Sequence, residues 1–141
     1  MSKLFFLLFC FVSIQGIGQT KMVSEKIKIS EACDKIMSAI NRQDFDSVLI
    51  LLKKHSVVDP IAIDSFKSKI ISAISTSADE YGKFLGTAFI LEKSAGEVAS
   101  KRYYAIRFEH YFLKCKFSLY NNGISWVITG FSFDEEFSEL F

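Results

Sequence analysis

The hydrophobic period of this chain changes near Tyr81, and that change limits the folds open to it. Upstream, Ile29, Ala32, Cys33, Ile36, Met37 and Ile40 recur at three- and four-residue spacing and form one stripe, as on the buried face of a helix. Downstream, apolar and polar residues alternate, the mark of half-buried strands. Helices grouped before strands read as an α+β chain. We therefore expect three N-terminal helices packed on an antiparallel sheet.

The first helix is predicted over residues 24–41, with Cys33 on its buried side. In "NRQDFDSVLILLKKH" a short link leads to a second helix, with Asp44 as N-cap and two lysines in the last turn, where they suit the helix dipole. "VVDPIAIDSFKSKIISAIS" opens a third, capped by Asp59, with Pro60 at its first position and Ile63, Phe66, Ile70 and Ile74 inward.

The strands begin with "GKFLGTAFILEK", where Leu85, Thr87, Phe89 and Leu91 are expected on one side. In "KRYYAIRFEHYFLKCKFSLY" the alternation slips: Tyr104, Ile106 and Phe108 are even-numbered, whereas Tyr111, Leu113, Cys115, Phe117 and Leu119 are odd. A β-bulge near Glu109-His110 would absorb that slip within one long bent strand. Asn122-Gly123 fits a type I′ turn, which sets Leu119 opposite Trp126, Phe117 opposite Ile128 and Cys115 opposite Gly130. Phe112, Val127, Phe131 and Phe133 then share the outer face with Lys114, Lys116 and Thr129, unless Gly130 marks a second bulge that returns Phe131 and Phe133 to the core. A half-apolar outer face of this kind suggests a homodimer interface.

The first residues read separately. Lys3, the uncharged run "LFFLLFCFVSI" at 4–14 and the small residues Gly16 and Gly18 have the layout of a secretory signal peptide. Residues 1–18 are assigned to it and 19–141 to one domain, exported to the periplasm or beyond. The apolar run is shorter than the roughly 20 residues of a membrane span, so no membrane attachment is expected after cleavage. The chain has 17 basic and 16 acidic residues, and loss of Lys3 leaves 16 of each. That balance argues against nucleic-acid binding, which needs a basic excess.

Two stretches resemble a known superfamily. "AINRQDFDSVLILL" is similar to the polar turn between the first two helices of nuclear transport factor 2-like proteins, and "KCKFSLYNNGISWVITGFSFDEE" resembles the closing hairpin of their small secreted bacterial members. The resemblance spans residues 23–139. It implies a strongly bent sheet wrapped on helices as a cystatin-like cone, a cavity that some relatives use as a pocket, and either a binding module or an isomerase- or hydratase-like enzyme.

The residues themselves offer little chemistry. His55 and His110 stand apart from any close ligand set, so no metal and no cofactor is expected. The polar and aromatic groups available to the cone are Tyr104, His110, Tyr111 and Trp126, with His110 re-aimed by the bulge as the best single polar group. The plainer reading puts His110 at the bend and the aromatics in the core. The partner expected is an unidentified protein or a small apolar ligand, bound without catalysis; the alternative is an enzyme using His110 with a tyrosine. Cys33 and Cys115 fall on core-facing stripes. They form either a disulfide, which export permits, or two buried thiols that act as small hydrophobes.

Overall fold

The computed structural model describes residues 15–141, with side chains from Thr20 onward. The charged and apolar parts of the expected leader, Lys3 and residues 4–14, lie outside the described residues. Four helices, α1 (Gln15–Asn41), α2 (Phe45–His55), α3 (Pro60–Asp64) and α4 (Phe66–Tyr81), precede four strands. The strands are β1 (Phe84–Ala95), β2 (Ala99–Phe108), β3 (Phe112–Asn121) and β4 (Trp126–Asp134), and a 3-10 turn at Ser138–Leu140 follows. The sheet is an open antiparallel meander in the order β1-β2-β3-β4. The α+β class and the helices-then-sheet order are as expected.

The stripe of α1 is buried as its spacing predicts, with Cys33, Ile36 and Ile40 fully enclosed. Asp44 caps α2 by accepting from the Ser47 N–H, and Asp59 caps α3 by accepting from the Ile61 N–H, with Pro60 at the first helical position. The expected third helix is interrupted at Ser65, whose hydroxyl bonds the Ala62 carbonyl; the two pieces are α3 and α4. α1 begins at Gln15, earlier than the stripe that defined it.

Three strand assignments need correction. The long bent strand with a bulge is instead the hairpin β2–β3, which pairs Tyr104 with Cys115 and Ile106 with Leu113. Even-numbered residues face odd-numbered ones across it, so the slip in alternation records a change of strand. Its turn, Glu109-His110, has no positive φ; among the described residues Gln43 is the one non-glycine that does. The turn is held from outside, by Glu109 N–H on the Lys83 carbonyl and His110 N–H on the Tyr81 carbonyl.

The β3–β4 turn is wider than type I′ at Asn122-Gly123. The ladder closes at Asn121–Trp126, Gly123 takes φ 88°, and Asn122 Oδ1 accepts from both Ile124 and Ser125 N–H groups. Leu119 therefore faces Ile128. The inward set is unchanged, because a shift by an even number of residues preserves the face. A bulge beside Gly130 then sets Phe117 opposite Phe131 and Cys115 opposite Phe133, so both phenylalanines join the core against Phe66.

In β1, bulges at Phe84/Gly86 and Phe89/Leu91 break the expected face: Phe84, Thr87, Phe89 and Glu92 align with the inward residues of β2, while Leu85 is exposed. Cys33 and Cys115 are free, buried thiols, and no disulfide joins them. Cys33 lies in the field of Arg102 and Asp34 and Cys115 in that of Asp134, so the two stripes place them in different surroundings.

Candidate functional site

The inner face of the sheet is apolar except at its α1 side. There Arg102, on β2, takes the inward position next to Tyr104 and is only 12% exposed. Its guanidinium donates to the Tyr104 hydroxyl (2.9 Å), Glu92 Oε2 (2.6 Å) and Asp34 Oδ1 (2.9 Å), and lies 4.5 Å from the centre of the Phe89 ring. Tyr104 donates to Asp34 in turn. Lys26 of α1 pairs with Glu92, donates to Ser100 Oγ (2.6 Å) and sits 4.7 Å over the Trp126 ring. Two cations, two anions and one phenol thus join α1 to β1 and β2, with the aromatic rings supplying their walls.

The electrostatics of this cluster favour permanence. Burial, and then the hydrogen bond to Asp34, hold the Tyr104 hydroxyl well above its ordinary value. Burial opposes the charge of Arg102, but its bonds to Tyr104 and Glu92 outweigh that and make it harder still to deprotonate. Burial likewise works to raise Glu92, and the bonds from Lys26, Arg102 and Ser100 overcome it, leaving the carboxyl below its ordinary value. Cys33, beside the cluster, is pushed up to about 12 by burial, so it stays a thiol. The raised Arg102 and the lowered Glu92 therefore both stay ionised against each other. The arrangement locks α1 onto the sheet.

Tyr104 and Trp126 are thereby brought to one network, as neighbours of Arg102 and Lys26. The other two candidates are not. His110 is exposed on the β2–β3 turn, and Tyr111 packs against Tyr81 and Phe137 near the same end. The bulge that was to aim His110 inward is a turn, so its side chain faces solvent. Among the described residues no group of three or more His, Cys, Asp or Glu side chains is placed to hold a metal ion.

The larger concavity is on the opposite, outer face. A groove of about 680 Å³ runs across β1, β2 and β3, lined by Ala95, Ala99, Tyr103, Ser118 and Tyr120, with Lys93, Lys101 and Glu139 along it. Clefts on the helix side are smaller: about 220 Å³ between α1 and Trp126, and about 230 Å³ between Leu52, Ile63, Phe66 and Ile128.

Beyond the groove the C-terminal segment folds back over the sheet. Phe137 stacks on Phe112 with ring centres 4.5 Å apart. Glu139 accepts from the Tyr103 hydroxyl (3.1 Å) and from Lys116 (3.3 Å), and Lys114, 1% exposed, pairs with Asp134 at 3.1 Å. Sequence reasoning missed this strap and the inner network alike. The available signal for the network was parity: Arg102 shares the even positions of Tyr104 and Ile106.

The sequence matches no protein-family model and no curated protein, and the fold matches no solved structure.

Proposed function

We propose that this chain is an exported, non-enzymatic binding module of the nuclear transport factor 2-like kind, and that it binds a small apolar ligand or a partner's apolar segment in the outer groove. The observation that carries the reading is the groove itself: about 680 Å³, walled by Ala95, Ala99 and two tyrosines, within the range of ordinary ligand sites. The interior favours the outer site over a central cone, because Ile36, Ile40, Phe117 and Ile128 fill the space between helices and sheet at 0% exposure. The helix-then-meander order and the three register shifts supply what a bent sheet on helices requires. Export rests on Lys3, the apolar run at 4–14 and the glycines at 16 and 18. Cleavage after Gly18 would shorten α1 at its start and leave the stripe from Ile29 onward whole. The same outer face is the surface through which a homodimer would form.

Titration of the purified chain with N-phenyl-1-naphthylamine, an uncharged probe that fluoresces in apolar sites, tests the reading. Saturable binding is expected, and Ala99→Trp or Ser118→Trp, each filling the groove, should remove it while the circular dichroism spectrum is retained. Binding that survives both substitutions, or no binding by the wild type, would overturn the assignment.

A further inference from the structure

Lys93 and Lys101 are direct cross-strand partners in the β1–β2 ladder, and both line the groove. Like charges directly opposite one another destabilise a sheet. Lys93 is relieved by donating to the Glu139 backbone carbonyl. The Lys101 ammonium, in contrast, has no hydrogen-bond or ion-pair partner among the described residues. The other lysines of this face are satisfied: Lys114 by Asp134 and Glu139, and Lys116 by Glu139. At its covered end the face thus already holds carboxylates next to an aromatic ring, Phe137, supplied by its own chain. At Lys101 the same pairing of lysine and apolar wall has no anion among the described residues.

We infer that the groove takes a free, single-chain amphipathic carboxylate, with its apolar body against Ala95, Ala99 and Tyr120 and its head group on Lys101. This rests on the groove being the binding site and names the class of ligand it selects. Glu139 lines the groove beside Lys93, and its carboxylate is already engaged by Tyr103 and Lys116. The carboxylate of the ligand would relieve the repulsion between Lys93 and Lys101, which a neutral or cationic amphiphile cannot do.

Isothermal titration of the purified chain with decanoate, decanol and decyltrimethylammonium, all below micellar concentration, reads the selectivity. Decanoate should bind roughly ten-fold tighter than the cation in low salt, and the margin should shrink as salt is added. Lys101→Glu, at an exposed position, should reverse the order of anion and cation while leaving decanol unchanged. Equal binding of all three, abolished by Ala99→Trp, would keep the groove and overturn the carboxylate assignment. A preference for decanoate that survives Lys101→Glu would overturn the role of Lys101. No binding of any of the three would overturn both groove and ligand. Sedimentation with phosphatidylglycerol vesicles in the absence of decanoate binding would replace the free ligand by a membrane surface.

Discussion

On the inner face of the sheet Arg102 and Lys26 meet Asp34 and Glu92 as opposite charges, whereas on the outer face Lys93 and Lys101 meet as like ones. Arg102 and Glu92 sit on the same strands as Lys101 and Lys93, and neighbouring residues alternate between the faces: Arg102 points in, Lys101 and Tyr103 point out. The difference follows from what lies opposite. α1 covers the inner face with a helix whose stripe is apolar except where Lys26 and Asp34 reach the sheet, so buried charge survives there only in pairs. The outer face is covered at one end by the acidic strap, which neutralises Lys114 and Lys116, and is open at the other. One face spends its charges on holding the fold, and the other keeps some in reserve.

The sharpest break in that comparison is expected from aromatic truncation. Phe117 is 0% exposed and packs edge-on to Tyr104 and against Phe131. Phe117→Ala should lower the unfolding free energy by about 3–5 kcal/mol, the range for a large core side chain replaced by a cavity. Tyr120, on the outer face, is 45% exposed, and Tyr120→Ala should cost less than about 0.5 kcal/mol. Urea unfolding of both variants checks the contrast; similar losses would mean that the outer face is as tightly packed as the core.

Arg102→Ala comes next. It removes donors from Glu92, Asp34 and Tyr104 and a cation from the Phe89 ring. A fully buried pair broken in this way costs about 3–5 kcal/mol. Asp34 is 55% exposed and can be rehydrated, so a loss of about 2–3 kcal/mol is expected here. Lys101→Ala, one residue away and facing outward, should leave the urea midpoint unchanged or raise it slightly, because it ends a like-charge contact. A lower midpoint for Lys101→Ala would show that Lys101 has a stabilising partner.

The legibility of these features in the sequence follows the range of the interactions behind them. The α1 stripe and the Asp44 and Asp59 caps depend on residues within a few positions of one another and read correctly, whereas the bulge at Gly130 was one of two alternatives that the sequence left open. The β2–β3 turn did not, because Glu109-His110 contains neither glycine nor asparagine and is held by the distant carbonyls of Tyr81 and Lys83. Misreading that turn as a bulge also kept an inward His110 open as an alternative to the bend where it lies. The inner network joins Asp34 to Arg102 across most of the domain; its one local trace was a charged residue at an inward parity. The strap depends on Glu139 finding Tyr103 and Lys116, and nothing near "EEFSELF" in sequence announces that contact.

The smallest expected effect concerns that strap. Desolvation at the sheet works to raise the Glu139 carboxyl, but the Tyr103 hydroxyl and the charges of Lys116 and Lys114 outweigh it and hold the group below its ordinary 4.5. A carboxyl whose folded value is lowered contributes stability above its unfolded value and loses it as the pH falls through the folded one. At pH 7, Glu139→Gln should therefore cost at most about 1 kcal/mol, the scale of a solvent-accessible ion pair. The gap between wild type and variant should narrow as the pH drops below 4.5 and close once the wild-type carboxyl is protonated. Glu92, lowered by Lys26 and Arg102 on the other face, titrates in the same direction, so Glu139→Gln should leave an acid-sensitive limb in place. Thermal melts of both proteins between pH 7 and pH 2 make the comparison. A difference that persists unchanged at the acid end would mean that Glu139 acts through its shape or its hydrogen bond with Tyr103 and not as a charge.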